Sequence, residues 1–140
     1  MRCLATLLAG AVLLAGASPA AVRAESVREP RPVQLAAGEA FGAIAYSRAT
    51  GNYGYSYGKA SRPEAERVAV GFCAAQRDRA EDCNVLVWFW NSCAALAKAS
   101  NGAYGGDHAA DRQAAQQAAL RICSNYGGGD CRVIQTVCSR

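Results

Sequence analysis

The sequence predicts an α+β domain made of two tandem strand–strand–helix–strand repeats that share one core. We expect about six mainly antiparallel strands with two helices on one side, stabilised by disulfides. Three observations predict this fold: the sequence matches itself at a shift of about 50 residues, each half contains one amphipathic stretch, and six cysteines follow the N-terminal segment.

Matching apolar residues mark one helix in each half. With a shift of 50, five apolar positions fall on five others, and both sets follow the i, i+3, i+4, i+7, i+8 spacing of a helical stripe. The sets are Ala65, Val68, Ala69, Phe72 and Cys73, and Ala115, Ala118, Ala119, Ile122 and Cys123. Ser61 and Asp111 stand twelve residues before the closing cysteines as N-caps, so we expect helices over about 62–76 and 112–125.

Short strands complete each half. A glycine-containing turn joins two strands before each helix, and an Asp-Cys pair leads into an apolar strand after it. The expected strands cover about 41–47, 53–57 and 84–91 in the first half and about 94–99, 103–107 and 132–137 in the second. Because alanine dominates the inner face of both helices, each half alone would bury little apolar area, and we expect the halves to share a core.

Six cysteines predict three disulfides, since an even number in a small exported chain is typical of a disulfide framework. They are Cys73, Cys83, Cys93, Cys123, Cys131 and Cys138. Zinc sites usually contain two cysteines separated by about two residues. The neighbouring cysteines within each half here are separated by nine, nine, seven and six residues, which disfavours a metal site. We expect neither metal nor cofactor. The duplication predicts Cys73–Cys83 and Cys123–Cys131, and leaves Cys93–Cys138 to tie the two halves together.

The N-terminal segment has the form of a secretory signal peptide over residues 1–24. A positively charged N-terminus precedes an apolar run that is too short to span a membrane readily. Small residues follow this run, and we expect cleavage after Ala24. We therefore expect an exported protein, periplasmic or secreted, without a membrane span. We expect residues 25–39 to form a flexible leader. We expect residues 40–140 to form a single duplicated domain, with repeats at about 40–93 and 94–138.

The charge of the exported chain argues against nucleic-acid binding. Without Arg2 and Arg23, thirteen Lys and Arg stand against eleven Asp and Glu, which gives a net charge of +2. Nucleic-acid binding needs a dense basic face, whereas these arginines are scattered along the chain. We expect a monomer with no nucleic-acid partner.

The sequence holds no convincing catalytic set. His108 is the single candidate base for a Ser–His–Asp arrangement, with Asp107 and Asp111 nearby, but its Gly/Ala/Asp-rich surroundings are typical of an exposed loop. Paired cysteines leave no thiolate for catalysis. We therefore expect a non-enzymatic protein, and the alternative is a small cell-wall hydrolase that uses His108 or Asp107.

Aromatic residues supply the candidate binding site. Tyr55 and Tyr57 lie two residues apart on one predicted strand, and Trp88 and Trp90 on another. Tyr55 falls opposite a glycine in the second repeat, so the shared fold does not require an aromatic ring there. Two interpretations stay open: asymmetric core packing, or an exposed platform with the tyrosines beside the tryptophans. The predicted function is an interaction module for a protein partner in the envelope or outside the cell, and the alternative ligand is peptidoglycan.

Several segments of the sequence together resemble a known family. The segments that carry the resemblance are Ala45-Tyr-Ser-x-x-Thr-Gly-x-Tyr-Gly-Tyr-Ser-Tyr-Gly58, Ala65-Glu-Arg, Cys73 and Asp82-Cys83-x-Val-x-Val-Trp-Phe-x-Asn-x-Cys93-Ala-Ala-Leu-Ala97. Over about 40–138 the chain resembles domain of unknown function 4189, a family of small secreted bacterial proteins with six cysteines. The resemblance implies a secreted or periplasmic protein without an agreed biochemical activity, and it supplies no catalytic or binding residues. The chain departs from the family pattern at 105–108, where aromatic residues often follow Tyr-Gly.

Overall fold

The computed structural model describes residues 40–76 and 78–139, so the predicted signal peptide and flexible leader lie outside the described residues. The elements in chain order are β1 (Phe41–Tyr46), β2 (Tyr53–Lys59), α1 (Arg62–Ala74), β3 (Asn84–Trp90), β4 (Ser92–Lys98), β5 (Tyr104–Ala109), α2 (Arg112–Asn125) and β6 (Arg132–Ser139). This order confirms the duplicated strand–strand–helix–strand prediction. The strand β4 begins two residues earlier than expected, and α1 ends two residues earlier.

Each repeat forms its own three-stranded antiparallel sheet. The first sheet has the strand order β2–β1–β3, and the second has the order β5–β4–β6. The first strand of each repeat is therefore central, flanked by its hairpin partner and by the strand that follows the helix. In the first sheet, Ile44 of β1 lies opposite Tyr55 on one side and Val87 on the other.

The two sheets share one apolar core, as the sequence predicted. The buried side chains of this core are Ile44, Tyr46, Val87, Phe89, Ala94, Leu96 and Val137. Both repeats contribute to it, and the rings of Tyr46 and Tyr104 meet across it with their centroids 4.6 Å apart. Large residues of the first and third strands thus supply the apolar burial that the alanine-rich helices cannot.

Each helix covers the outer face of its own sheet. Ala43 and Ala45 of β1 pack against Ala65 and Ala69 of α1, and the alanines of β4 pack in the same way against α2. The helices therefore lie on opposite sides of the paired sheets, whereas the sequence led us to expect both on one side. The reason is that β1 and β4 are apolar on both faces, with small residues towards the helix and larger ones towards the other sheet.

One repeated glycine brings each helix close to its hairpin. A Cβ atom at Gly54 would lie 2.1 Å from the carbonyl oxygen of Ala69, and one at Gly105 would lie 2.4 Å from the main-chain nitrogen of Cys123. No side chain fits at either position, which explains why Tyr-Gly occurs in both hairpins.

The turns and helix ends follow the sequence prediction. The side chains of Ser61 and Asp111 cap the two helices, each accepting from the N–H three residues later. Gly51 and Gly102 hold positive φ angles of 75° and 86° in the two hairpin turns. Among the described residues, neither helix has the length and hydrophobicity needed to cross a membrane.

Three disulfides have the pairing that the duplication predicted. They join Cys73 to Cys83, Cys123 to Cys131 and Cys93 to Cys138. The last bond does not tie the two sheets together, because Cys93 lies on β4 directly opposite Cys138 on β6. The first sheet ends before Asn91, whose φ of 45° turns the chain into the second sheet. Asparagine tolerates this left-handed conformation better than most residues.

Candidate functional site

The four aromatic residues predicted for binding are all exposed. The exposed fractions are 38% for Tyr55, 60% for Tyr57, 38% for Trp88 and 51% for Trp90. Their rings therefore lie at the surface of the first repeat and not in the core between the sheets. Rings of this kind serve well as anchors in interfaces because they combine a large apolar body with a polar tip.

The structure divides these four residues between two faces of the first sheet. Directly opposed residues in an antiparallel pair project from the same face. Tyr55 lies opposite Ile44, which faces the second sheet, whereas Trp88 lies opposite Ala43, which faces α1. The two aromatic residues also lie on different edge strands. The sheet therefore carries two separate aromatic surfaces, and the single platform left open by the sequence does not form.

The first surface is a groove of about 740 Å³ that follows the open edge of β2 beside α1. Val68 and Phe72 of α1 line it on one face of the strand, and Tyr55 and Tyr57 line it on the other. We call these four residues and the space between them the tyrosine groove. Three of the four side chains are exposed and aromatic, so the groove offers apolar surface that no other part of the described chain covers.

Phe72 is the member of this groove that sequence analysis placed wrongly. It was assigned to the buried stripe of the helix, yet it is 61% exposed. Only Ala65, Ala69 and Cys73 of that stripe are fully buried, since the repeated glycine brings the helix too close to the sheet for larger groups. Val68 and Phe72 therefore extend over the edge of β2. The available clue was that Phe72 is the one large residue in a stripe of otherwise smaller side chains.

The ends of the groove are polar. Lys59, the last residue of β2, lines one end, and Gln76 lines the other. The side-chain amide of Gln76 donates to the carbonyl oxygen of Tyr53, the first residue of β2. The groove thus has a charged end and a neutral end.

The second surface lies on the helix-facing side of β3, and we call it the tryptophan ledge. It consists of Val85, Trp88 and Trp90, all exposed. The guanidinium carbon of Arg62 lies 4.3 Å from the ring centroid of Trp88, a cation–π contact. Arg62 also pairs with Glu66 at 2.6 Å from Nε to Oε1. A pair of opposite charges therefore lies beside the indole ring of Trp88.

The second repeat has a matching groove of about 740 Å³, in which the edge strand β5 has no residues equivalent to Tyr55 and Tyr57. Gly106 stands where the first repeat has Tyr55, and Ile122 and Tyr126 line the α2 side. Leu86 reaches into this groove from the first sheet, and a Cβ atom at Gly106 would lie 2.5 Å from its Cδ2. A side chain at this position would therefore displace the Leu86 side chain from the groove.

The candidate catalytic residues do not form a catalytic arrangement. His108 lies near the end of β5, not in the loop expected from the sequence, and its side chain is exposed. Its main-chain N–H donates to Oδ1 of Asp107 at 2.8 Å, while no hydrogen bond to its imidazole occurs over 40–76 and 78–139. Within the same ranges, no three His, Cys, Asp or Glu side chains come together as a metal site.

Two carboxylates occupy matching structural positions in the repeats. Asp82 accepts from the hydroxyl of Ser47 and from the N–H of Ala49. Asp130 accepts from the N–H of Ser100 at 3.0 Å. These hydrogen bonds hold the pKa of both carboxyls below the usual value for aspartate. Each carboxylate fastens a hairpin turn to the loop before the third strand, so its role is structural.

Together these features define a class of protein: a duplicated α+β module with three disulfides, helices on its outer faces and exposed aromatic surfaces on one repeat. The chain belongs to the family described as domain of unknown function DUF4189, whose model matches residues 41–138.

A solved structure has the same fold. The chain is similar to the NMR structure of Rv1813c from Mycobacterium tuberculosis, with a TM-score of 0.53 and 23% sequence identity, over 94% of this chain and 98% of that chain. At this identity the similarity shows the fold alone. No curated protein matches the chain.

Proposed function

We propose that this protein is an exported, non-enzymatic interaction module that binds a protein partner in the envelope or outside the cell through the tyrosine groove. The observation that carries the proposal is the exposure of Tyr55, Tyr57 and Phe72 around one groove beside an edge strand. Interface hot spots are typically rings of this kind, set in pockets that lose water on binding.

Export is supported by two independent features of the chain. The first 24 residues have the composition of a secretory signal peptide. All six cysteines of the domain pair in disulfides, which are typical of proteins from oxidising compartments. A rigid disulfide-closed frame also suits binding, because little conformational freedom is lost when a partner docks.

The proposal is tested by quantitative affinity capture from envelope and culture-filtrate extracts. The bait proteins are wild type, a Tyr57→Ser/Phe72→Ser variant and a Tyr126→Ser control. Tyr126 is an exposed aromatic residue in the matching groove of the second repeat, so its replacement tests general loss of an aromatic surface. We expect a defined protein to be captured by wild type and by the control but lost with the groove variant. Equal recovery of every protein by all three baits would contradict the proposal.

The tryptophan ledge favours cell-wall polysaccharide as a second candidate ligand. Trp88 and Trp90 are two residues apart on one strand face, a spacing of roughly 7 Å, and Arg62 and Glu66 stand beside them. Indole faces can stack on sugar rings while the charged pair bonds to hydroxyl groups. Sedimentation with purified peptidoglycan tests this candidate. Wild type and the groove variant would sediment, whereas Trp88→Ala/Trp90→Ala would stay in solution.

A further inference from the structure

We infer that the partner segment of the tyrosine groove is an extended polypeptide that pairs with β2 and adds a fourth strand to the first sheet. This inference rests on the proposed function and specifies the chemical form of the partner. Its basis is the direction of the main-chain groups on β2, the apolar wall of α1 and the charge of Lys59.

The first hairpin decides which main-chain groups of β2 face the groove. The N–H of Ser47 donates to the C=O of Asn52 at 2.9 Å, so this pair is hydrogen-bonded. Hydrogen-bonded and non-hydrogen-bonded pairs alternate along an antiparallel ladder. Gly54 and Ser56 therefore bond to β1, and Tyr55, which lies between them, turns its N–H and C=O towards the open edge of the sheet.

Protein groups already occupy both ends of this open edge. The C=O of Tyr53 accepts from the side chain of Gln76. The N–H of Gly58 donates to Oγ of Ser139 at 2.8 Å. The part of the edge that remains to be paired is therefore short and centres on Tyr55. A main-chain donor and acceptor on one residue match another extended main chain, whereas a helix has already used its own N–H and C=O groups internally.

The side chains around this edge indicate which peptide would fit. Successive residues of an added strand point to opposite faces of the sheet. One set would contact Val68 and Phe72 on α1, and the other set would lie beside Tyr55 and Tyr57. Apolar residues at alternate positions fit both surfaces. The ammonium group of Lys59 favours an acidic residue at its end of the groove.

The second repeat is the internal comparison for this inference. The edge strand β5 has the same position beside α2, but Leu86 occupies space beside Gly106 there. Residue 106 also brings no ring to hold a peptide. We therefore assign strand addition to β2 and not to β5.

The probe for this inference is a phage-displayed library of random ten-residue peptides, selected on the disulfide-bonded protein. We expect selected peptides to carry apolar residues at alternate positions and an acidic residue towards one end. As labelled synthetic peptides, they should lose at least tenfold in affinity on Phe72→Ser and on Lys59→Glu. Their affinity for the Tyr126→Ser control should stay within about twofold of wild type.

Amide hydrogen exchange measured by NMR separates strand addition from other modes of binding. With a selected peptide bound, the amide of Tyr55 should exchange at least tenfold more slowly because it becomes hydrogen-bonded. The amide of Ser56 already bonds to β1 and should change little.

Two results would overturn strand addition: a library that gives no Phe72-dependent peptide, or a bound peptide that leaves exchange at Tyr55 unchanged. If affinity capture still recovers a Phe72-dependent protein in either case, the proposed function stands and only the extended-strand mode is lost. If that capture fails as well, both are lost.

Discussion

Leu86 of β3 lies against Gly106 of β5, in the space that a side chain at position 106 would need. The corresponding residue of the first repeat is Tyr55, whose ring is at the surface. In the second repeat, the Leu86 side chain thus fills the space that the first repeat leaves open beside its aromatic residue. The two halves share a fold but present different surfaces.

The first prediction tests this contact. Gly106→Tyr should lower the free energy of unfolding by about 1–3 kcal/mol, since the added ring overpacks the region around Leu86. Denaturant unfolding gives the value. Gly129→Ala is the matched control because a Cβ atom there meets nothing within 4 Å, and it should change stability by less than about 0.5 kcal/mol. A Gly106→Tyr protein as stable as wild type would contradict the packing described here.

The second prediction compares one substitution at two positions. Gly54→Ala should destabilise the protein by about 1–3 kcal/mol, because the new methyl group meets the main chain of α1 and the helix must move. Gly71→Ala lies within α1 with nothing within 4 Å of the added carbon, and should stabilise by about 0.5–1 kcal/mol. Thermal unfolding of both variants measures the two effects. Effects of the same sign would show that the helix does not approach the hairpin this closely.

The third prediction concerns acid stability. The pKa of Asp82 and of Asp130 is lowered by hydrogen bonds that require the ionised carboxylate. A lowered pKa stabilises the fold above the unfolded value of about 3.9, and this contribution disappears as the pH falls through the lower folded value. Wild type should therefore lose stability below about pH 4. The Asp82→Asn/Asp130→Asn variant should be less stable at neutral pH and depend less on pH.

Unfolding midpoints measured from neutral to acidic pH test this prediction. Glu81→Gln is the control, since Glu81 is an exposed neighbour of Asp82 in the same loop. The control should follow the wild-type curve, and the double variant should approach wild type only at the acidic end. Parallel curves for wild type and the double variant would rule out a contribution from the two carboxylates.

The fourth prediction ranks two disulfides. The cysteines of Cys93–Cys138 are 45 residues apart in sequence, and those of Cys123–Cys131 are 8 apart. In the chain-entropy model, replacing the first pair by alanine should cost about 4 kcal/mol and the second about 2.5 kcal/mol. Denaturant unfolding of the two double variants gives both values. The opposite order would mean that loop entropy does not govern these bonds.

Most of the fold could be predicted because its determinants are local. Ser61 and Asp111 mark the helix starts, and in both repeats a cysteine near the helix end is followed by one just before the third strand. The face on which each helix packs could not be predicted, since β1 and the middle of β4 are apolar on both faces, which differ mainly in side-chain size. The sole indication of which face packs against the helix was side-chain size: the face with alanines packs on the helix, and the face with Ile44 or Leu96 packs on the other sheet.

The candidate site was predicted less completely than the fold. The sequence identified Tyr55 as a residue that the fold does not require and Trp88 as a second candidate, and both are exposed. Their separation depends on strand order and register, including an irregularity between Ile44 and Ala45, and neither has a local pattern. Phe72 was missed because the distance between helix and sheet is set by a glycine on another element.

No disulfide of the described residues crosses the turn at Asn91. One disulfide precedes it, and the other two follow it. Within the described residues, the main chain passes from one sheet to the other at this turn. Apolar packing and the hydroxyl of Ser139, which accepts from the N–H of Gly58 and donates to the C=O of Phe41, also join the two sheets. A cut at Asn91 would thus release two cystine-closed fragments with complementary apolar faces. We expect such fragments to reassemble when mixed, because the core between the sheets needs no covalent bond across it.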